Sequence, residues 1–177
     1  MIYELRQYTL RPGQRDTLIE LFEREFVESQ EVVGIRLVGI FRDLADSDRF
    51  VWVRGFADME SRRQALSDFY YGPVWKAFSK EANATMIDSD DVLLLRPIVE
   101  FPVTRPPGGE VVTVHIGPLP APSVPHDVLA ALETIQVENT FPALPVRDGE
   151  ELYVWFRRGD HPGATLRLAP TERSFLR

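Results

Sequence analysis

Residues 50–56 read FVWVRGF, and this short run constrains the fold more than any other feature of the chain. Side chains alternate between the two faces of a strand. Phe50, Trp52 and Phe56 therefore share one face, while Val51 and Val53 share the other. The segments at 35–42 and 91–99 are also apolar on both sides. A sheet built from such strands must be shielded from water on each face.

The surrounding order shows what can shield it. A first strand, Ile2 to Thr9, ends at the turn Arg11-Pro12-Gly13, and a helix is expected from about Gln14 to Ser29, with Leu18, Phe22 and Phe26 on one side. Strands follow at Ile35–Arg42 and Arg49–Phe56, joined by the polar turn Asp43–Asp48. Asp58 is a good N-cap for a helix over Met59–Tyr70, and Pro73 starts another that runs to about Ala84. A strand at Asp91–Val99 completes the order β-α-β-β-α-β, the ferredoxin-like arrangement of the α+β class. Its two helices cover one sheet face. The other, carrying Ile35, Leu37, Phe41, Phe50, Trp52, Phe56, Val92 and Leu94, is expected to pack face to face against a second sheet.

The linker Val103–Gly109 separates an expected first domain, 1–101, from a second, 110–177. In the second, strands are expected at Glu110–Ile116 and Glu151–Arg158, a helix at His126–Val137, and an extended segment at Thr165–Arg177. FVWVR at 50–54 and YVWFR at 153–157 agree in type and in place, so the second domain reads as a truncated repeat. The barrel can then close within one chain or across a homodimer.

Composition excludes several functions. The net charge is −7, and lysine occurs only at Lys76 and Lys80, which argues against nucleic-acid and anionic-membrane partners. With no cysteine there is no thiol nucleophile, and a reducing, cytoplasmic setting is expected. Neither a signal peptide nor an apolar run of membrane-spanning length is visible. The histidines His115, His126 and His161 lack zinc spacing, and no metal or cofactor is called for. His115 alone has a strand parity that could bring it to a cavity, where it could ligate haem or act as a base. A strand-end histidine bonded to backbone or water is the plainer arrangement.

Three motifs, IYELRQYTLRPG, FVWVRGFADMESR and FYYGPVWKAF, occur in that order across about Met1 to Phe101. In these the chain resembles the NIPSNAP family. The resemblance implies a dimeric α/β-barrel, an architecture shared with small monooxygenases, isomerases and haem enzymes such as chlorite dismutases. It implies a homo-oligomer but no generally accepted reaction.

Parity then proposes a site. Tyr3, Leu5, Val51 and Val53 are assigned to the helix side of the sheet. Glu4, Arg6 and Tyr8 on the first strand fall with Trp52 and Arg54 on the third and Arg96 on the fourth. These six are expected to line one cavity between two sheets, with Glu4 and Tyr8 handling a proton and Arg6, Trp52, Arg54 and Arg96 binding a ligand. The function expected is binding of a small, partly apolar organic molecule there, with cofactor-independent acid–base chemistry as an option. The alternative is a non-catalytic interaction or scaffold protein, whose interior would be filled and whose charges would all be paired.

Overall fold

The first strand, β1 (Ile2–Leu10), pairs on one side with β3 (Arg49–Phe56) and on the other with β4 (Met86–Val99). The structure, a computed structural model, describes residues 1–176; the last residue of the expected Thr165–Arg177 segment lies outside them. β2 (Arg36–Asp43) adds to the free edge of β3. Between β1 and β2 runs a helical stretch of α1 (Arg15–Leu21), a π-helical turn (Phe22–Phe26) and α2 (Val27–Glu31). α3 (Met59–Tyr70) and α4 (Pro73–Ala84) connect β3 to β4. The Asp58 carboxylate accepts the Ser61 N–H at 2.7 Å, and Pro73 opens α4, as their positions in the sequence lead one to expect.

The second half contributes four more strands: β5 (Val112–Pro118), β6 (Val128–Thr134), β7 (Leu152–Arg158) and β8 (Leu166–Pro170). The eight strands close into one antiparallel barrel in the order β1-β3-β2-β8-β5-β7-β6-β4. Two seams join the halves, β2 with β8 and β4 with β6. The barrel is thus completed within one chain. The order β4-β1-β3-β2 in the first half is matched by β8-β5-β7-β6 in the second, so FVWVR on β3 and YVWFR on β7 hold corresponding places.

Each strand sends two side chains into the barrel, Leu5, Val53, Leu95 and Phe156 among them, and all are essentially inaccessible to solvent. Phe101 joins them, edge-on to Tyr3 and Phe156 with ring centroids 5.1 and 5.0 Å away. An eight-stranded barrel is just wide enough for side chains to fill. The other apolar layer lies between the outer face of β1–β4 and the helices, and it holds most of the large rings: Phe22, Phe26, Phe50, Trp52 and Phe69.

Three expectations are corrected here. The two sheet faces are interchanged. Tyr3, Leu5, Val51 and Val53 point into the barrel, while Phe50, Trp52 and Phe56 lie under the helices. Parity sorts side chains into two sets but does not say which set meets which neighbour. Here the slim Val and Leu residues suit the confined barrel, and the rings fill the thicker layer beneath the helices. Phe41 separates from Leu37 because the β2–β3 register shifts between Leu37 and Gly39, which sends Phe41 inward. A Cβ at Gly39 would stand 2.2 Å from the Phe41 ring, so only glycine fits beside it. Finally, the helix expected at His126–Val137 is β6. Its Val128, Leu129, Leu132 and Ile135 suit a helix, but Ala130 and Leu132 also alternate inward. The gap between β7 and β4 can be closed only by a strand, and tertiary context overrides local preference.

Candidate functional site

The register of β1 against β3 sets Glu4 opposite Arg54, Arg6 opposite Trp52 and Tyr8 opposite Phe50. All of these side chains emerge on the face that α1–α4 cover. The expected grouping of Glu4, Arg6, Tyr8, Trp52 and Arg54 is therefore present, but between sheet and helices. The expected cavity between two sheets is replaced by the filled barrel interior.

A single carboxylate organises the cluster. Glu4 Oε2 accepts from Arg54 Nε at 2.6 Å and from Arg6 Nη1 at 2.8 Å, and Glu4 Oε1 accepts from Arg62 Nε at 2.7 Å. All four residues are at most 1% exposed. Burial alone would raise the Glu4 carboxyl, but the charges of Arg54, Arg6 and Arg62 and the hydrogen bond from Arg54 outweigh it. They hold the group well below the usual carboxylate range. Three buried guanidiniums face one buried carboxylate, which leaves two positive charges in excess.

Neutral acceptors solvate these guanidiniums in part, without changing the net charge. Arg6 Nε donates to the Tyr8 hydroxyl at 3.0 Å. Arg54 Nη1 donates to Gln30 Oε1 at 3.2 Å and to the Tyr70 hydroxyl at 3.3 Å, and Arg62 Nη1 donates to Asn139 Oδ1 at 3.0 Å. The Arg54 guanidinium lies over the Trp52 ring, 4.9 Å from its centroid. Among the described residues, three buried donors of this cluster have no partner: Arg54 Nη2, Arg62 Nη2 and Trp52 Nε1. Orphaned buried donors are uncommon and costly. Burial raises the Tyr8 hydroxyl, with Arg6 offsetting part of the effect, so Tyr8 stays a neutral phenol.

An aromatic crevice adjoins the cluster. It is lined by Phe22, Phe26, Phe69 and Trp75, with Leu18 and Met86, and it shares Tyr8, Gln30, Trp52 and Tyr70 with the arginine network. Its volume is about 20 Å³, room for about one water molecule. The π-helical turn sets both Phe22 and Phe26 on this wall; such turns often occur at functional sites.

Arg96 has the parity of Leu94, as expected, but stands beyond the helices. Its side chain is 61% exposed, and Arg96 Nε donates to Glu133 Oε1 at 2.8 Å. His115 sits on the outer face of β5, opposite in parity to the inward Val112 and Val114, with its ring centroid 6.4 Å from that of His161. Among the described residues, no three His, Asp or Glu side chains are placed to hold a metal ion. Also among them, no helix is long and apolar enough to cross a membrane.

Arg62, Gln30 and Asn139 join the site without having been expected there. Arg62 could have been found, because it falls on the buried stripe of α3 with Ala65, Leu66 and Phe69. A cation on a buried stripe calls for an anion partner. Asn139 gave no such sign. It belongs to the β6–β7 connection, which crosses to the first half and lays Phe141 against Tyr70, ring centroids 6.0 Å apart.

Residues 3–101 match the family model described as NIPSNAP. An uncharacterized NIPSNAP-like domain protein from Burkholderia xenovorans is 28% identical, with a TM-score of 0.52 over 57% of this chain and 88% of its own. An uncharacterized NIPSNAP domain protein from the same organism is 19% identical, with a TM-score of 0.51 over 58% of this chain and 99% of its own. A Lactobacillus acidophilus protein provisionally named a monooxygenase is 12% identical, with a TM-score of 0.59 over 96% of this chain and 93% of its own. That last likeness concerns the fold alone. No curated protein matches the sequence.

Proposed function

The chain belongs to the NIPSNAP family, and from that premise and the site geometry we propose that it binds a small, partly apolar organic molecule between the sheet and the helices. The observation that carries this reading is an aromatic crevice lined by Trp52, whose buried Nε1 lacks a partner, and by Gln30 and Tyr70, behind which stands Arg54 with its own unpartnered Nη2. An apolar wall with a few convergent polar groups is the usual make-up of a ligand site.

The crevice has to widen for such a ligand, and α4 is the wall suited to move. Ala82 is its one buried residue, while Trp75 and Phe78 are only partly buried. Elements with few buried contacts open most readily. Within this reading the expected proton role falls to Tyr8, which borders the crevice. Glu4 is engaged by three guanidiniums and serves to position them. Arg96 lies too far out to take part.

The second half reads as a copy of the first that has kept its strands and lost its helices. The matched strand orders and the placement of FVWVR and YVWFR support this. Residues 119–127 and 159–165 stand where the helices would be.

The rival reading, a filled scaffold, draws on the 20 Å³ crevice. A thermal-shift and tryptophan-fluorescence screen of aryl and branched alkyl compounds separates the two. The ligand reading expects saturable stabilisation that is weakened in Trp52→Phe and unchanged in Arg96→Ala. A screen that yields no stabilising compound would leave the scaffold.

A further inference from the structure

We infer that the ligand's polar end is a carboxylate, gripped by the outer edge of the Arg54 guanidinium. This rests on the small-molecule reading above and adds the charge and the anchoring atoms.

Arg54 uses its nitrogens unequally. Nε holds Glu4 at 2.6 Å, which fixes the plane of the guanidinium. Nη1 makes two long contacts, 3.2 and 3.3 Å, to the neutral oxygens of Gln30 and Tyr70. Nη2 makes none. The Nη1–Nη2 edge of a fully buried cation is thus weakly occupied. That edge is a two-pronged donor whose spacing suits a carboxylate's two oxygens. Gln30 and Tyr70 line the crevice, so a group meeting this edge from the crevice reaches Arg54 by replacing their contacts.

Charge supports the same choice. Glu4 answers one of three buried arginines, and a buried charge without a partner is costly. A bound monoanion would halve the excess, whereas a neutral ligand would leave it. The surroundings define the rest of the molecule. Phe22, Phe26, Phe69 and Trp75 offer flat apolar walls, which suit a single aryl or branched alkyl group. The class is a small aromatic or branched aliphatic monocarboxylic acid.

The test compares acids with their neutral isosteres. Phenylacetate and phenylacetamide, and 4-methylpentanoate and its amide, are titrated calorimetrically into the 177-residue chain at pH 7. Binding of at least one acid ten-fold or more tighter than its amide is expected. Arg54→Lys, which keeps the charge and removes the fork, should cut that preference, and Arg96→Ala, outside the site, should leave it. Acid and amide binding equally would overturn the inference while sparing the small-molecule reading. If neither member of either pair binds, although an uncharged compound from the wider screen does, the carboxylate assignment falls alone; if nothing binds at all, both fall. Should Arg54→Lys fail to fold, the acid-to-amide ratio in the unaltered protein still decides.

Discussion

The two cores of this molecule are made of different material. The barrel interior is packed with Val, Leu and Phe from all eight strands. A few ångströms away, across the same strands, the layer under the helices holds three buried arginines and one buried glutamate among its rings. Both layers are shielded from bulk solvent. Only one of them carries charges whose burial is expensive and incompletely answered. The barrel shows that this fold can fill a core with hydrocarbon, and the contrast is what supports placing the proposed ligand site in the helix-covered layer.

The contrast can be broken most forcefully at Glu4. Glu4→Gln leaves three buried guanidiniums without their anion and should cost about 3–5 kcal/mol in urea unfolding at pH 7. A loss below about 1 kcal/mol would mean that water already answers those charges. In the other core, Leu132→Ala should cost about 3 kcal/mol through lost burial and the void left behind. Its effect should not vary between pH 7 and pH 3, because Tyr3 in the same core is pushed above the usual phenol range by burial and does not ionise there.

Acid sharpens the same comparison. Glu4 is held below its ordinary value of 4.5, so the stability it contributes is complete above pH 4.5 and is lost as the pH falls. Below that point the unaltered protein should lose about 1.4 kcal/mol per pH unit relative to Glu4→Gln. Parallel unfolding curves for the two proteins from pH 5 to pH 3 would contradict the ion cluster. The smallest effect belongs to the surface. Arg96→Ala removes an exposed pair with Glu133 and should change stability by no more than about 1 kcal/mol. A larger loss would show that the β4–β6 seam depends on that pair.

Much of this was legible in the residues. The strand and helix order of the first half, the cap at Asp58 and the co-facing of Glu4, Arg6, Trp52 and Arg54 all follow from alternation and turn chemistry. Alternation has two solutions, however, and nothing in FVWVRGF says whether tryptophan or valine meets a helix. The register shift before Gly39 was hidden for a related reason, since an extra residue in a strand leaves the local pattern apolar on both sides. The strand at Val128–Thr134 was disguised by Ala, Leu and Glu, good helix formers placed where closure of the barrel demands extension. Asn139 and Phe141 could not have been placed in the site, because their neighbours there are more than seventy residues away in sequence.

That crossing connection has a consequence for how the protein can change. Asn139 braces Arg62 and Phe141 leans on Tyr70, so the walls of the site are shared between the family-like half and the half outside the family match. Relatives that keep every arginine could still differ in what they accommodate, through drift in a loop that comparison of the matched residues never sees. Conversely, cutting the chain at the linker would take Asn139 from Arg62 and Phe141 from Tyr70, so the first half alone would keep the ion cluster and lose one wall of its site.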